Sequence, residues 1–383
     1  MSDEWLVWLG DDWGYQMSSP QQLAKALAGR YRTLWINSVG MRRPRLTRRD
    51  LARAFTKLVR APTLSRETSP EVVVASVPLV PYHHRVSARA LNRRIARATV
   101  ARWRRNLGVW RPVVICALPT GLSIVDALEP RRLIYYCMDD FATLPGVDWP
   151  MIEALERDLL AAADRVVAAS PWIAGLPRFR ARGAAVLPHG VDYDHFARAQ
   201  QPPSAEIARL VSSLPRPLLG FSGFIDGRID VELLRAVASR EDWGLLIVGE
   251  AAVDLGDLGR RRNVAMVGYR PYTVLPDYLA ACDVLIAPYV RSQATAALQP
   301  LKIPEYLATG KPVVATALPA LEDAADIVLL AQDEPGFLAA IERAAALPVA
   351  GRAERLARAR AQSWQRRAEE FADLVGLHLA QSA

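Results

Sequence analysis

Cysteine and histidine are scarce in this chain, and their scarcity excludes several classes of protein. Three cysteines and five histidines occur among 383 residues. So few cysteines, in odd number, do not supply a disulfide framework, and no clustered His/Cys spacing typical of a zinc site is present. Cys116, Cys137 and Cys282 each lie in an apolar, strand-like segment. We therefore expect three buried, reduced thiols.

Long hydrophobic runs are absent as well, although hydrophobic residues make up 51% of the chain. A run of about 18 apolar residues, which would be needed to cross a bilayer, does not occur. The first residues, MSDEW, carry acids where a signal peptide carries positive charge. We expect a cytoplasmic globular protein, long enough for two domains with a full core each.

Acidic residues are few in one part of the chain. Residues 1–195 contain 28 Lys and Arg against 18 Asp and Glu, whereas residues 196–383 contain 20 against 22, so the net charge of +8 comes from the first half. Between Arg30 and Arg105 there are 19 basic residues and 3 acidic ones. Two segments there, Met41–Arg60 and Arg85–Arg105, combine arginines with apolar residues at helical spacing.

Such basic amphipathic helices suit an anionic membrane surface. The alternative is an ordinary helix packed on its own core with a solvated, arginine-rich face. No recognised nucleic-acid-binding module accompanies the charge, and nucleic acid is not expected as a partner.

Apolar strand-like segments alternate with helical segments along the whole chain. This alternation predicts an α/β protein with parallel sheets covered on both faces. The predicted strands are WLVWLG, TLWINS, EVVVASVP, VVICALP, LIYYCMDD, RVVAAS and AAVLPHG in the first half, and PLLGFSG, GLLIVGE, VAMVGY, VLIAPY, PVVAT and ADIVLLA in the second. Between the halves, Ala199–Pro217 reads as a linker because it contains four prolines.

The segment PEYLATGKPVVAT, from Pro304 to Thr316, has the layout of a ligand site. It predicts a short helix over Ile303–Thr309, a left-handed cap at Gly310 and a buried parallel strand. Glu305, near the start of this helix, is placed to accept hydrogen bonds from a vicinal diol such as a ribose. Helix, glycine and strand also follow one another in many doubly wound domains, so the segment alone does not establish a site.

This segment resembles the donor-sugar region of nucleotide-sugar-dependent glycosyltransferases of the GT-B fold. Three further segments are similar to that family in the same order: LPHGVDYDHF to its hinge, LLGFSGFIDGRIDVELL to the start of its donor domain, and NVAMVGYRPYTVLPDYLAACDVLIAPY to the strands and base-contacting loop that follow. YYCMDDF resembles a segment of bacterial exopolysaccharide and teichuronic-acid glycosyltransferases, including glucuronosyltransferases. The resemblance spans most of residues 130–320.

The resemblance implies two Rossmann-like, doubly wound domains that face each other across a cleft. Residues 1–198 are expected to form an acceptor-binding domain and residues 199–350 a donor-binding domain. Residues 351–383 are expected to form a C-terminal helix, roughly Gly351–Leu379, that crosses back to the first domain.

The donor site implied by the resemblance involves three groups of residues. Glycines at strand ends would bring backbone N–H groups to a diphosphate, nearby cations would neutralise it, and the GYRPY loop would contact the base. These residues are Gly223, Arg228, Gly249, Tyr269, Arg270, Tyr272, Lys302 and Glu305. Many relatives carry a lysine shortly after the glycine loop, and here Lys302 is expected to supply that charge. The tyrosines have surface packing as an alternative.

Retaining members of the family often have a second Glu eight residues before the ribose-binding one, and this chain has Ala297 there. We therefore expect an inverting mechanism, which needs a base for the acceptor hydroxyl. Asp139 and Asp140 are the first candidates, because adjacent acids repel and one pKa would rise. Helix capping is the alternative role of this pair. Asp12, beside Asp11, is the competing base, and Trp13, His83 and His84 are candidate acceptor contacts.

The expected function is transfer of a sugar from a nucleoside diphosphate, with UDP favoured, to a lipid-linked or glycan acceptor in cell-surface polysaccharide or glycolipid synthesis. No cofactor and no metal are expected, and the protein is expected to act at the inner face of the cell membrane. A non-hydrolysing UDP-sugar epimerase and a catalytically silent nucleotide- or membrane-binding relative are the alternatives.

Overall fold

A computed structural model describes residues 2–14, 17–37, 72–80, 86–143, 147–296, 298–347 and 349–377. The chain divides into two compact units. The first comprises Met1–Pro188 and Arg367–Ala383, and the second comprises His189–Arg366. The sequence placed the division near residue 198 and the start of the returning segment near residue 351.

The first unit contains a seven-stranded parallel sheet in the order β3-β2-β1-β4-β5-β6-β7. Its strands are β1 (Ser2–Gly10), β2 (Tyr31–Asn37), β3 (Val72–Ser76), β4 (Val113–Cys116), β5 (Arg132–Cys137), β6 (Arg165–Ala168) and β7 (Ala185–Val186). The helices are α1 (Ser19–Ala28), α2 (Val86–Leu107), α3 (Leu122–Leu128), α4 (Trp149–Ala162), α5 (Pro171–Gly175) and α6 (Pro177–Arg180), with a 3₁₀ turn at Pro119–Gly121.

The second unit contains a six-stranded parallel sheet in the order β10-β9-β8-β11-β12-β13. Its strands are β8 (Leu218–Ser222), β9 (Gly244–Val248), β10 (Val264–Met266), β11 (Val284–Ala287), β12 (Val313–Thr316) and β13 (Leu329–Ala331). The helices are α7 (Tyr193–Ala197), α8 (Ala205–Leu210), α9 (Val231–Ser239), α10 (Leu275–Ala280), α11 (Gln293–Ala296), α12 (Lys302–Ala308), α13 (Glu334–Ala346), α14 (Arg352–Ala361) and α15 (Trp364–Val375), the last of which continues into the first unit.

The central strands are nearly continuous apolar runs because helices cover both faces of a parallel sheet. Every residue of β4, β8, β9, β11 and β12 is buried. In the first unit, the ring of Trp8 lies between Trp35 and Phe371, with centroid distances of 6.4 and 5.7 Å. The predicted strands and the doubly wound α/β class are confirmed.

The predicted terminal helix is interrupted. α14 ends at Ala361 and α15 begins at Trp364, so the single helix expected over Gly351–Leu379 is wrong. The break is held by the hinge segment, since Val191 N–H donates to Gln362 O (2.9 Å) and Trp364 N–H donates to Val191 O (3.1 Å). This interaction joins positions about 170 residues apart in the chain and has no local sequence signal.

The three thiols are buried and reduced, as expected. Burial raises the pKa of Cys116 and of Cys282 to about 12. Of the two basic segments, Met41–Arg60 lies outside the described residues, and the described part of the second, residues 86–105, falls on α2. No helix in the described part of the chain is long and apolar enough to span a membrane.

Candidate functional site

The strand order of the second sheet changes direction between β8 and β11. The candidate crevice is at the carboxyl ends of these two strands. In open α/β sheets ligands bind outside the carboxyl ends of the strands at this point. β8 runs into Gly223 and β9 into Gly249, with φ values of 136° and 150° that favour glycine. A Cβ on Gly249 would lie 2.0 Å from the Gly223 carbonyl oxygen, so neither backbone leaves room for a side chain there.

We call the strand ends at Gly223 and Gly249 the glycine edge. Lys302, the first residue of α12, lies against it. A Cβ on Gly223 would be 2.6 Å from Lys302 Nζ, which itself lies 5.4 and 5.8 Å from the ring centroids of Phe221 and Tyr289. Within the described residues, no hydrogen bond or ion pair reaches the ammonium group. Burial lowers the pKa of Lys302 to about 8, although the Glu305 carboxylate acts to raise it.

Glu305 lies one turn further along α12 and is half-buried. Burial raises the pKa of Glu305 to about 7, against the attraction of Lys302, and the Asp192 carboxylate adds to the increase. No donor among the described side chains hydrogen-bonds to its carboxylate. A half-buried carboxylate and a half-buried ammonium without hydrogen bonds are unfavourable, and groups whose pKa values are shifted in this way cluster at functional sites.

Tyr306 fixes α12 to the edge of the sheet. Its hydroxyl accepts a hydrogen bond from the Ser222 backbone N–H at 2.9 Å, inside the core. Because Ser222 ends β8, this bond sets the position of Lys302 and Glu305 relative to Gly223.

Arg228, the second predicted cation, is paired with its own loop. Its Nη2 lies 2.7 Å from Asp226 Oδ2, and its Nε donates to Asp226 Oδ1 at 3.0 Å. Burial raises the pKa of Asp226, but the hydrogen bonds from Arg228 outweigh it and hold this pKa below the usual range. The following helix α9 is capped by Asp230, which accepts from Leu233 N–H at 2.9 Å. This carboxylate makes the N-terminus of α9 less favourable for an anion.

The GYRPY loop adjoins the glycine edge through a bridge between Gly249 and Gly268. Tyr269 is 59% exposed and free to contact a flat ring. Arg270 turns away and donates to the Tyr278 hydroxyl at 2.7 Å. Tyr272 stacks on His195 with a centroid distance of 4.4 Å. These contacts favour a packing role for Arg270 and for Tyr272, and only for Tyr272 was this alternative considered from sequence.

In the first unit, Asp140 is part of a buried ionic network. Arg178 Nη2 donates to Asp140 Oδ1 and Arg178 Nε donates to Glu156 Oε2, both at 2.7 Å. The Tyr135 hydroxyl donates to Glu156 Oε1 at 2.7 Å. Asp140 was considered as a base because it would be repelled by the adjacent Asp139. The Arg178 guanidinium offsets that repulsion, so a structural role is the better interpretation of Asp140. Asp139 is half-buried, and its carbonyl accepts from the Cys137 thiol.

A second polar cluster lies at the carboxyl end of β1. The Asp11 carboxylate accepts hydrogen bonds from Ser18 Oγ (2.9 Å) and Gln21 Nε2 (3.1 Å). Burial raises the pKa of Asp11, although these hydrogen bonds act to lower it. Asp12 is exposed and Asp11 is half-buried.

Trp13 is oriented by its neighbours rather than free. Its backbone N–H donates to Asn37 Oδ1 at 2.9 Å, and its ring lies 5.0 Å from Trp35. Asn37, which ends β2, was missed from sequence, although its position at a strand end could have indicated it. His83 and His84 lie outside the described residues. No group of three or more His, Cys, Asp and Glu side chains in the described ranges is arranged to hold a metal ion.

The structure thus brings Gly223, Gly249, Lys302 and Glu305 together, with Arg228 and its partner Asp226 beside them. Tyr289, Asp226 and Asp192 also surround this position and were not predicted. Asp226 and Tyr289 follow strands of this sheet and Asp192 caps α7, but nothing in their local sequence distinguishes them from ordinary loop residues.

Residues 228–347 match the family described as "Glycosyl transferases group 1". This region contains the candidate donor residues from Arg228 to Glu305. A Bacillus subtilis (strain 168) protein, TuaH, described as a teichuronic acid biosynthesis glycosyltransferase, is 29% identical over 222 residues, which are 52% of this chain and 54% of that protein. The chain therefore aligns with about half the length of this relative.

Solved structures show the fold. Sucrose-phosphate synthase from Thermosynechococcus elongatus superposes with a TM-score of 0.69 at 17% identity, covering 97% of this chain and 98% of that one. Anabaena HepE, solved in complex with UDP-glucose, gives a TM-score of 0.64 at 16% identity, covering 97% and 99%. The GT-B architecture of two Rossmann-like domains, expected from the sequence, is confirmed.

Proposed function

We propose that this protein is a glycosyltransferase that takes a sugar from a nucleoside diphosphate, UDP in the first instance, and transfers it to a lipid-linked or glycan acceptor. The observation that carries the proposal is the Lys302–Glu305 pair at the glycine edge of the second sheet, where an ammonium and a carboxylate lie half-buried with no hydrogen-bonding partner among the described residues. The match of residues 228–347 and the HepE complex with UDP-glucose support it.

The two side chains fit opposite ends of a nucleoside diphosphate. Lys302 Nζ, placed against Gly223, would pair with the diphosphate and stabilise the charge that develops as it leaves. Glu305 would accept hydrogen bonds from the ribose hydroxyls. Tyr269, exposed at the neighbouring strand end, is proposed to contact the base. Arg228 would add positive potential while remaining paired with Asp226.

The chemical step is a displacement at the anomeric carbon. The acceptor oxygen forms a bond to that carbon, the bond from carbon to the phosphate oxygen breaks, and the electron pair leaves with the nucleoside diphosphate. The acceptor proton passes to a base, for which Asp139, Asp12 and Asp11 of the first unit are the proposed candidates. With Ala297 at the place of the second Glu, inversion remains our proposal for the stereochemistry, and no metal is required by these residues.

A panel of nucleoside diphosphates and their sugars tests the donor site by thermal unfolding. A ligand at a hundred times its Kd stabilises the folded state by about 2.7 kcal/mol, which corresponds to about 5 °C or more for a domain of this size. We expect a selective shift with UDP that is lost in Glu305→Gln and kept in Glu322→Gln, an exposed control. No shift with any nucleotide at millimolar concentration would contradict the proposal.

Measuring whether UDP is released from a UDP-sugar only when an acceptor is added distinguishes glycosyl transfer from epimerisation and from nucleotide binding without turnover. An epimerase would convert the sugar without an acceptor, and a silent relative would bind UDP without turnover. Either result would be compatible with the proposed donor site but would contradict glycosyl transfer.

Donor affinity is expected to depend on pH in a bell shape. Glu305, with its pKa raised to about 7, loses its charge at lower pH, and Lys302, with its pKa lowered to about 8, loses its charge at higher pH. The affinity for UDP-glucose should therefore be greatest near pH 7–8 and fall by up to about tenfold per pH unit on either side. Calorimetric titration between pH 5.5 and 9 measures this, and Lys302→Arg should remove the alkaline decline because arginine stays charged. A flat profile in the wild type would exclude this pair from the donor site.

We also propose that α2 docks the protein on an anionic membrane surface. Its exposed side chains include Leu91, and beyond its end Trp110 is 64% exposed. The exposed arginines are Arg89, Arg93, Arg94, Arg97, Arg102 and Arg105. This combination supports the membrane interpretation over a plain solvated face, because apolar side chains accompany the charge.

Charge reversal on α2 is expected to abolish vesicle binding. Each basic residue near an anionic surface contributes about 1 kcal/mol, so Arg89→Glu, Arg94→Glu and Arg102→Glu together should weaken binding at least a hundredfold. Sedimentation with vesicles of phosphatidylglycerol and phosphatidylcholine measures this. The matched control is Arg209→Glu, Arg260→Glu and Arg262→Glu in the second unit. Equal losses in both triple variants would show that only net charge matters.

A further inference from the structure

A short helix of the second unit adjoins both parts of the proposed donor site. α7 packs against α12, which carries Lys302 and Glu305, and against α10, which follows the GYRPY loop at residues 268–272. None of the residues in α7 has a role in the donor site as described so far. The contacts that α7 makes with the loop suggest one.

His195 and Arg198 attach α7 to the end of the loop. The Nε2 atom of His195 lies 2.9 Å from Tyr272 O, and its ring is parallel to the Tyr272 ring to within 8°. Arg198, just after α7, donates from Nη2 to Thr273 O at 2.7 Å and to His195 Nδ1 at 3.0 Å. Two side chains therefore bind two consecutive backbone carbonyl groups of the loop end.

These contacts determine which nitrogen of His195 carries the proton. A guanidinium can only donate, so Nδ1 accepts, and a carbonyl can only accept, so Nε2 donates. Burial, and then the charge of Arg198, lower the pKa of His195, although the hydrogen bond to Tyr272 O acts to raise it. The imidazole is therefore neutral at pH 7 and uses both of its nitrogens.

The beginning of the loop is attached separately. The bridge between Gly249 and Gly268 joins it to the end of β9, and Arg270 Nε donates to the Tyr278 hydroxyl at 2.7 Å. Tyr269 lies between these two attachments and is 59% exposed. Because the backbone is held on both sides of Tyr269, less ordering is needed when a flat ring binds there, and this favours affinity.

We infer that His195 is a positioning residue for nucleotide binding, which together with Arg198 holds the end of the GYRPY loop so that Tyr269 is placed to contact the base. This inference rests on the proposed function, in which Tyr269 contacts the base, and extends it to a helix that does not itself touch the nucleotide. Packing alone would not require an imidazole, because a phenylalanine ring could also stack on Tyr272. The two polar contacts are what the imidazole adds.

Calorimetric titration of the full chain with UDP and with inorganic pyrophosphate at pH 7.5 tests this role. Pyrophosphate has no base, so its affinity should not depend on the loop. His195→Phe keeps a ring but removes both polar contacts, and it should weaken UDP binding about tenfold while the affinity for pyrophosphate stays unchanged. His195→Gln, whose amide offers one donor and one acceptor, should bind UDP within about threefold of the wild type.

A double-mutant cycle with Tyr269→Ala shows whether His195 acts through the loop. Tyr269→Ala alone should also weaken UDP binding about tenfold, and the addition of His195→Phe should then weaken it by less than about threefold more, because effects that pass through one residue do not add. The matched control is Asp194→Asn, at an exposed position of the same helix, which should leave both affinities unchanged.

Four results would overturn the inference: equal UDP affinity in His195→Phe and the wild type, an equal loss for UDP and pyrophosphate, additive losses in the double variant, or a loss in His195→Gln as large as in His195→Phe. Should His195→Phe not fold, Arg198→Met allows the same comparison, because Arg198 is exposed and donates to the loop. Absence of UDP binding in the wild type would contradict the proposed function and this inference with it, whereas the four results above leave the donor site in place.

Discussion

Replacement of Lys302 by methionine is expected to weaken UDP binding about a hundredfold. The ammonium is the cation at the glycine edge that no described residue pairs with, and charge-assisted hydrogen bonds contribute about 1.5–3 kcal/mol each. Methionine keeps the length and much of the volume of the side chain, so the loss of UDP affinity measures the contribution of the positive charge. Calorimetric titration of UDP at pH 7.5 measures it.

The same substitution is expected to raise the stability of the protein without nucleotide. The folded-state pKa of Lys302 is about 8, below its ordinary value of 10.5, so folding is opposed by the charged form throughout the range below pH 8. Removal of the charge should therefore raise the melting temperature by a few degrees at pH 7, an increase of about 1 kcal/mol in the free energy of unfolding. Stability gained and affinity lost in one variant is the pattern expected of a binding residue rather than a structural one.

Lys311→Met is the matched control. Lys311 lies just beyond the other end of α12, and its Nζ donates to the carbonyl oxygen of Ala280 at 3.0 Å. Its removal changes the net charge equally but should leave the Kd for UDP unchanged. A similar loss of affinity in both variants would assign the effect to net charge instead of to the site.

Replacement of Arg178 by methionine is expected to destabilise the first unit strongly. Arg178 joins Asp140 and Glu156, whose side chains are 9% and 1% exposed. Removing one partner of a buried ion pair leaves an uncompensated charge and costs about 3–5 kcal/mol. Urea unfolding at pH 7, followed by hydrogen exchange of β5 amides to isolate the first unit, measures the loss.

Two further variants separate the ionic network from lost packing. Glu156→Gln combined with Arg178→Met should recover part of the stability, because the buried carboxylate is then absent. Arg180→Met, at an exposed position two residues away, should change the free energy of unfolding by less than about 0.5 kcal/mol. If Arg178→Met behaves like Arg180→Met, the network has no structural role and Asp140 returns as a candidate base.

The sequence predicts the fold well because local patterns determine it. Buried parallel strands are apolar on both faces, and the PEYLATGKPVVAT segment contains the helix, the cap and the strand that place Glu305. Lys302 could be proposed as a site residue because it lies three residues before Glu305. The strands are recognised from runs of apolar residues and the site segment from neighbouring residues in the chain, so both can be identified in a single sequence.

Pairings across long stretches of chain could not be predicted. The guanidinium of Arg178, 38 residues after Asp140, changes that acid from a candidate base into part of an ionic network. His195 and Tyr272 stack across 77 residues, which favours a packing role for Tyr272. Such roles depend on which side chains the sheet topology brings together.

A crystal structure of the protein with UDP tests the donor site most directly. We expect diphosphate oxygens within about 3 Å of Lys302 Nζ, the ribose hydroxyls hydrogen-bonded to the Glu305 carboxylate, and the uracil ring beside Tyr269. UDP bound with its diphosphate away from Lys302 and its ribose away from Glu305 would contradict the account, even if the protein proved to be a glycosyltransferase.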